Sequence, residues 1–79
     1  MKILSTFYSD DGSLTAEVTT IPGQSVFVNY LVHNMSIGQI DYTHKALRYA
    51  EDAAENFVTG IFTPDMVRKY IEENKWLSH

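Results

Sequence analysis

The chain contains no cysteine and little glycine or proline, with four and two residues respectively among 79. Without cysteine, neither a disulfide framework nor a thiolate metal site can stabilise the fold. A chain of this length forms one domain, residues 1–79, and buries a smaller share of its surface than a larger domain does. We therefore expect its stability to come from an efficient core or from a partner, and a homodimer is the simplest such solution.

Long apolar runs and a basic surface are also missing. The beginning, MKILSTFYSDD, lacks the apolar run of a signal peptide, and no stretch is long and apolar enough to span a membrane. Six basic residues stand against ten acidic ones, and Lys2 is the sole base in residues 1–42. Proteins that bind the phosphate backbone need several bases on one face. We expect a soluble protein of the cytoplasm, without membrane contact and without nucleic acid as its partner.

Residues 1–42 alternate between apolar and polar with a period of two. In SLTAEVTTI the apolar residues Leu14, Ala16 and Val18 share one face, which is typical of a half-buried strand. SVFVNYLVH is apolar on both faces and rich in β-branched and aromatic residues, as a central strand should be. Turn signals such as Pro22-Gly23 separate the segments. We predict an antiparallel meander of three to four strands, at roughly 2–8, 13–21, 25–33 and 37–42.

From Thr43 onward the apolar period becomes 3.6, which predicts two helices at roughly 44–59 and 64–74. Thr43 is the expected N-cap of the first helix and Gly60 its stop, while Thr63 caps the second. The predicted fold is α+β in two layers, a meander followed by two helices. The apolar stripes comprise Ala46, Leu47, Ala50, Ala53, Ala54, Phe57, Val58 and Ile61 in the first helix and Met66, Val67, Tyr70 and Ile71 in the second.

The first predicted helix carries an acidic stripe, defined as Arg48, Glu51, Asp52 and Glu55. A carboxylate site for a cation or for acid–base catalysis needs oxygens that converge on one point, and a catalytic acid also needs burial. Like-charge pairs at this helical spacing cost only about 0.2–0.5 kcal/mol each, so a solvated face needs no functional explanation. The alternative is a docking surface, and the stripe is our candidate for binding a partner protein.

Nothing else in the chain indicates catalysis or metal binding. His33, His44 and His79 lack the close spacing, such as an i, i+4 pair, that a zinc site requires. GxGxxG, P-loop, GxSxG and HExxH motifs do not occur. We therefore predict a protein that is not an enzyme and holds neither a cofactor nor a metal.

One layer of helices covers a single face of the sheet and leaves the other face open. If Leu14, Ala16 and Val18 point inward, the third strand presents one of its two apolar sets outward. Either the chain around Trp76 covers part of this face, or the face is a homodimer or partner surface. We place self-association on Phe27 and Leu31. The outward residues are either Phe27 and Leu31 or Val26, Val28 and Tyr30.

The segment IGQIDYTHKALRYAEDAAENFVTGIF, residues 37–62, resembles a stretch shared by small uncharacterised proteins of tailed phages that infect cyanobacteria. YAEDAAENFVTG, residues 49–60, is its most specific part. The pattern has no assigned activity, so the resemblance carries no catalytic residues across. It implies a phage-encoded protein made inside a bacterial cell, and such proteins often act by binding host or phage proteins.

Three functions remain in view at this point. The first is a non-enzymatic protein-interaction module, a homodimer that binds a host or phage protein in the cytoplasm of the bacterial cell. The second is a nucleic-acid-binding domain that uses the sheet face, where Tyr8, Phe27 and Tyr30 would stack single-stranded bases; it rests on fold-level analogy with integrase-type domains. The third is a small acidic metal-binding protein or enzyme built on the acidic stripe. We favour the interaction module.

Overall fold

The structure is a computed structural model that describes residues 2–21 and 25–77, and side chains as far as residue 73. A four-stranded antiparallel sheet is followed by two helices, so the predicted α+β class is confirmed. Helix α1 packs on the first three strands and α2 on the last two. The elements are β1 (Lys2–Tyr8), β2 (Leu14–Ile21), β3 (Ser25–Val32), β4 (Met35–Asp41), α1 (Leu47–Val58) and α2 (Pro64–Leu77).

The strands follow one another in the order β1-β2-β3-β4, and each pairs antiparallel with the next. Asp11 holds the first turn, because its carboxylate accepts hydrogen bonds from the hydroxyls of Ser9 and Ser13, at 2.8 and 2.7 Å. His33 and Asn34 form the third turn with φ angles of 51° and 66°, as a two-residue type I′ hairpin requires. This tight turn starts β4 at residue 35, earlier than predicted. The predicted Pro22-Gly23 turn lies outside the described residues.

The core lies between the helices and one face of the sheet. Alternate residues of the central strands point into it, and Tyr30 and Phe57 are fully buried, with ring centroids 4.8 Å apart. Ala50 and Ala54 present only methyl groups to the sheet, which lets α1 lie close to the strands. The fully buried apolar residues are Ala16, Val18, Val28, Tyr30, Ala50, Ala54, Phe57 and Val67.

A bulge and a glycine in β4 allow α2 to approach the sheet. Tyr30 pairs with Gly38 whereas Leu31 pairs with Ser36, so Ile37 is an extra residue in β4. Gly38 has a φ of 147°, which residues with a side chain rarely adopt. A Cβ atom at this position would overlap Cδ1 of Ile71 on α2. The missing side chain therefore makes room for the second helix.

The first helix begins later than predicted. Thr43 is not its N-cap, because the Thr43 hydroxyl donates to the Asp41 carboxylate and accepts the N–H of Val26 at 3.2 Å. These bonds tie Thr43 to the sheet, and α1 starts at Leu47 behind Ala46, which offers no capping side chain. The prediction that the helix begins near residue 44 is therefore wrong.

The other helix signals are confirmed. Gly60, with a φ of 89°, ends α1, and the Thr63 hydroxyl accepts the backbone N–H of Met66 at 3.2 Å. Helix α2 continues to Leu77, beyond the predicted end at residue 74. The packing expected for Trp76 concerns a side chain outside the described part of the structure.

Candidate functional site

The two helices leave a groove of about 420 Å³ between them, open along α1 and α2. We call it the interhelical groove. Its volume lies within the range of about 300–1,000 Å³ that is usual for ligand pockets. The residues that characterise it are Tyr42, Tyr49, Asp52, Ile61, Met66 and Tyr70.

Exposed apolar side chains are concentrated at this groove. Of the nine large hydrophobic side chains that are exposed in the described part of the chain, four line it. Tyr49 is 53% exposed, Ile61 67%, Met66 49% and Tyr70 43%. Contiguous apolar surface of this kind marks interaction sites, whereas single exposed hydrophobic residues are normal.

Helix α1, helix α2 and the connection between them each contribute side chains to the groove. On α1, Tyr49 and Ala53 face the groove while Ala50 and Ala54 face the sheet. On α2, Met66 and Tyr70 are four residues apart and share a face, as that spacing predicts. The connection between the helices supplies Ile61.

Backbone hydrogen bonds to the end of α1 fix the connection between the two helices. The backbone N–H groups of Ile61 and Phe62 both donate to the carbonyl of Asn56, at 2.9 and 3.0 Å. Gly60 provides the left-handed residue that such a helix ending needs. Ile61 is therefore held at the mouth of the groove by backbone geometry.

Tyr42, which lines the groove, is hydrogen-bonded to a second buried tyrosine, Tyr30, which is not among the lining residues. The hydroxyls of Tyr30 and Tyr42 are hydrogen-bonded at 2.8 Å. Burial raises the pKa of Tyr30 above its usual range, and the bond to Tyr42 raises it further. Burial also raises the pKa of Tyr42, with smaller contributions from the phenols of Tyr70 and Tyr49, while the bond to Tyr30 acts in the opposite direction. The hydroxyls of both tyrosines are therefore protonated at neutral pH.

Tyrosine rings form the walls of the groove, and the carboxylate of Asp52 gives it a negative charge. The rings of Tyr42 and Tyr49 have centroids 5.7 Å apart and are inclined at 52°, so they form a corner. Asp52 is the only charged residue in the described part of the lining. Among the described residues, its carboxylate forms no ion pair and accepts no side-chain hydrogen bond.

The structure divides the acidic stripe. Arg48 and Glu55 are exposed, Glu51 is half-buried, and Asp52 borders the interhelical groove. None of the four takes part in an ion pair with a described side chain. The four residues therefore do not form one surface. Asp52 adjoins the apolar interhelical groove, whereas Arg48, Glu51 and Glu55 lie outside its lining.

The third strand presents Phe27 and Leu31 on the face that the helices leave uncovered, and both are half-buried. Val28 and Tyr30 are fully buried on the core side, which decides between the two outward sets. The prediction that Tyr30 could stack a base is therefore wrong.

A polar row crosses this open sheet face between Phe27 and Leu31. The hydroxyl of Ser36 donates to Oδ1 of Asn29 at 2.7 Å, and Nδ2 of Asn29 donates to Oε1 of Glu17 at 3.3 Å. The face therefore combines two apolar side chains with a hydrogen-bonded network.

Within residues 2–21 and 25–73, no three histidine, aspartate or glutamate side chains come together as a metal site would require. No helix formed by the described residues is long and apolar enough to cross a membrane. No protein-family model matches the chain, and neither a curated protein nor a solved structure matches it significantly.

The groove residues were not recognised as a site from the sequence. The apolar stripes place Ile61, Met66 and Tyr70 toward the core, but all three are exposed. Among the described side chains of α2, Val67 and Ile71 are the ones that pack into the core. Tyr49 offered the one available signal. Tyr49 lies between the apolar stripe of α1 and its charged side. A large aromatic side chain at such a boundary faces neither the core nor open solvent alone.

Proposed function

We propose that this protein is a non-enzymatic interaction module that binds a segment of another protein in the interhelical groove. The concentration of exposed apolar side chains at one concave site carries the proposal. Tyrosine is enriched among the residues that dominate binding energy at interfaces, and methionine adapts to irregular partners. The groove offers both types beside the carboxylate of Asp52.

The identity of the partner is proposed from the sequence resemblance. Residues 37–62, which resemble proteins of cyanobacterial phages, include Tyr42, Tyr49, Asp52 and Ile61 of the groove. We therefore propose a host or phage protein in the cytoplasm of an infected bacterial cell as the partner. The stretch that carries the resemblance then also carries most of the groove lining, and Met66 and Tyr70 complete it from α2.

Capture from nuclease-treated cyanobacterial lysate tests the proposal. The tagged protein is compared with an Ile61→Ser/Met66→Ser variant, in which two exposed groove residues become polar. We expect the protein to retain a near-stoichiometric partner that the variant loses. Truncation of central interface residues costs about 2 kcal/mol or more in binding, which corresponds to a loss of roughly thirtyfold.

The matched control is Tyr8→Ser/Met35→Ser. These two side chains are 67% and 73% exposed but lie outside the groove. The control should bind like the unchanged protein, and both variants should unfold at nearly the same temperature because exposed substitutions change stability little. Equal retention by the groove variant, or no retained partner at all, contradicts the proposal.

A triple variant of the acidic stripe separates its two surfaces. Arg48→Ala/Glu51→Ala/Glu55→Ala leaves Asp52 and the groove untouched. If the groove is the binding site, this variant keeps the partner. Loss of the partner here, with retention by the Ile61→Ser/Met66→Ser variant, would move the docking surface to the exposed side of α1.

We also propose self-association through the open sheet face, where Phe27 and Leu31 lie on the side that the helices do not cover. Sedimentation velocity over a concentration series tests it, with Phe27→Ser/Leu31→Ser as the variant. A dimer that becomes a monomer in the variant supports the proposal, and a monomer at the highest concentration contradicts it. Nucleic acid is disfavoured as a ligand of this face, because Glu17 and Asp41 lie among its residues and Tyr30 is buried.

A further inference from the structure

We infer that the interhelical groove accepts a basic side chain, lysine or arginine, from the segment that it binds. This inference rests on the proposed function and specifies the chemistry of the partner. It is carried by two features of the groove: the carboxylate of Asp52, which forms no ion pair with a described side chain, and the corner formed by the rings of Tyr42 and Tyr49.

The carboxylate of Asp52 sets the sign of the charge. Among the described residues it is the only charged group in the lining, and it has no ion-pair partner there. Apolar side chains lying over Asp52 would remove water from its carboxylate without hydrogen bonds or a charge to replace it, which is unfavourable for a charged group. An acidic segment would add repulsion. A lysine or arginine side chain would pair with the carboxylate of Asp52 and so replace the water that binding removes.

The tyrosine corner provides a second attraction. Aromatic faces attract ammonium and guanidinium groups within about 6 Å of the ring centroid. The chain already uses Tyr49 in this way, because Nζ of Lys45 lies 5.4 Å from the centroid of its ring. Tyr42 is inclined to the same ring and lines the groove together with Tyr70.

The rest of the groove fits the stem of such a side chain. Lysine and arginine carry three or four methylene groups that pack on apolar surface while the charged end reaches a polar partner. Ile61 and Met66 supply that apolar surface. A lysine or arginine flanked by apolar residues would thus satisfy every part of the lining.

Nuclear magnetic resonance titration of the whole chain with matched small probes tests the inference. N-acetyl-lysine methylamide carries the ammonium group, and N-acetyl-norleucine methylamide has a similar stem without it. We expect the lysine probe to shift the amide resonances of Tyr49, Asp52 and Tyr70 in a saturable manner. Asp52→Asn should weaken that binding by roughly fivefold, the upper end for a partly exposed ion pair. Glu55→Gln, one turn away and outside the groove, is the control and should not weaken it.

The outcomes separate this inference from the proposed function. If the norleucine probe binds as well as the lysine probe, or if neither shifts groove resonances, the inference is wrong, while the capture experiment with Ile61→Ser/Met66→Ser decides the proposed function independently. If Asp52→Asn weakens the lysine probe but retains the captured partner fully, the groove takes a free organic cation and the inference about the partner segment fails. Weakening of both the probe and the capture by Asp52→Asn supports it.

Discussion

Replacement of Gly38 by alanine tests how α2 is seated on the sheet and hence how the interhelical groove is formed. The backbone φ of 147° strains any residue with a side chain, at a cost of about 1–3 kcal/mol. The new Cβ atom also overlaps Cδ1 of Ile71, and overpacking of this kind costs about 1–3 kcal/mol. Because the Ile71 side chain can partly yield, we expect Gly38→Ala to lower the free energy of unfolding by about 2–4 kcal/mol in total.

Thermal denaturation followed by circular dichroism measures this loss. For a domain of this size, each kcal/mol shifts the midpoint by about 4–8 °C, so the midpoint should fall by about 10 °C or more. Gly12→Ala is the control, since Gly12 has a φ of 75° but no atom near the position of a new Cβ. It should lose about 1–2 kcal/mol, the backbone term alone.

A second substitution isolates the contact with α2. Ile71→Val removes Cδ1 and should cost about 0.5–1.5 kcal/mol in the unchanged protein. In the Gly38→Ala background the same change should cost less, or should stabilise, because it removes the overlapping atom. Equal losses from Gly38→Ala and Gly12→Ala, together with simple additivity with Ile71→Val, would refute the reasoning.

Four further predictions concern stability and pH. Tyr30→Phe removes the buried hydrogen bond to Tyr42 and should cost about 1–3 kcal/mol in chemical denaturation, because it leaves a buried hydroxyl without its partner. Since the folded-state pKa of Tyr30 is raised, its contribution to stability is fully present below pH about 10 and is lost as the pH rises further, by up to about 1.4 kcal/mol per pH unit; the slope above pH 10 in a denaturation series should be smaller in Tyr30→Phe, and an unchanged slope contradicts the assignment. Thr63→Ala should cost about 1 kcal/mol by loss of the α2 cap, whereas Thr43→Ala should leave the helix content of α1 unchanged by circular dichroism, because its hydroxyl does not cap that helix.

The order of elements could be predicted because the apolar period changes once along the chain. Alternation in β2 and the apolar character of β3 identified the sheet, and the two helices followed from their stripes and from Gly60 and Thr63. The start of α1 could not be predicted in the same way. A threonine before a helical pattern indicates a cap, but the hydroxyl of Thr43 is engaged by Asp41 and Val26, which only the folded sheet brings within reach.

The candidate site was less accessible from the sequence, because a groove is a property of two helices together. The sequence places Met66 and Tyr70 on the same broad stripe as Val67 and Ile71. Which half of that stripe is buried depends on how α2 packs on the sheet. Gly38, which is distant in sequence, determines this packing because it leaves room for the Ile71 side chain. The apolar pattern of α2 alone contains no information on the contact between Gly38 and Ile71.

Site-specific photo-crosslinking tests the central claim most directly. The photoreactive residue p-benzoylphenylalanine takes the place of Ile61 at the mouth of the groove or, in a separate chain, of Tyr8 on the opposite face of the sheet. Each chain is irradiated in nuclease-treated cyanobacterial lysate, and the adducts are identified by mass spectrometry. The proposed function predicts a discrete adduct with another protein from position 61 and none from position 8, and the inference about a basic side chain predicts that Asp52→Asn reduces the adduct from position 61. Adducts from position 8 alone, or none from position 61, would contradict the claim that the groove between the helices is the binding site.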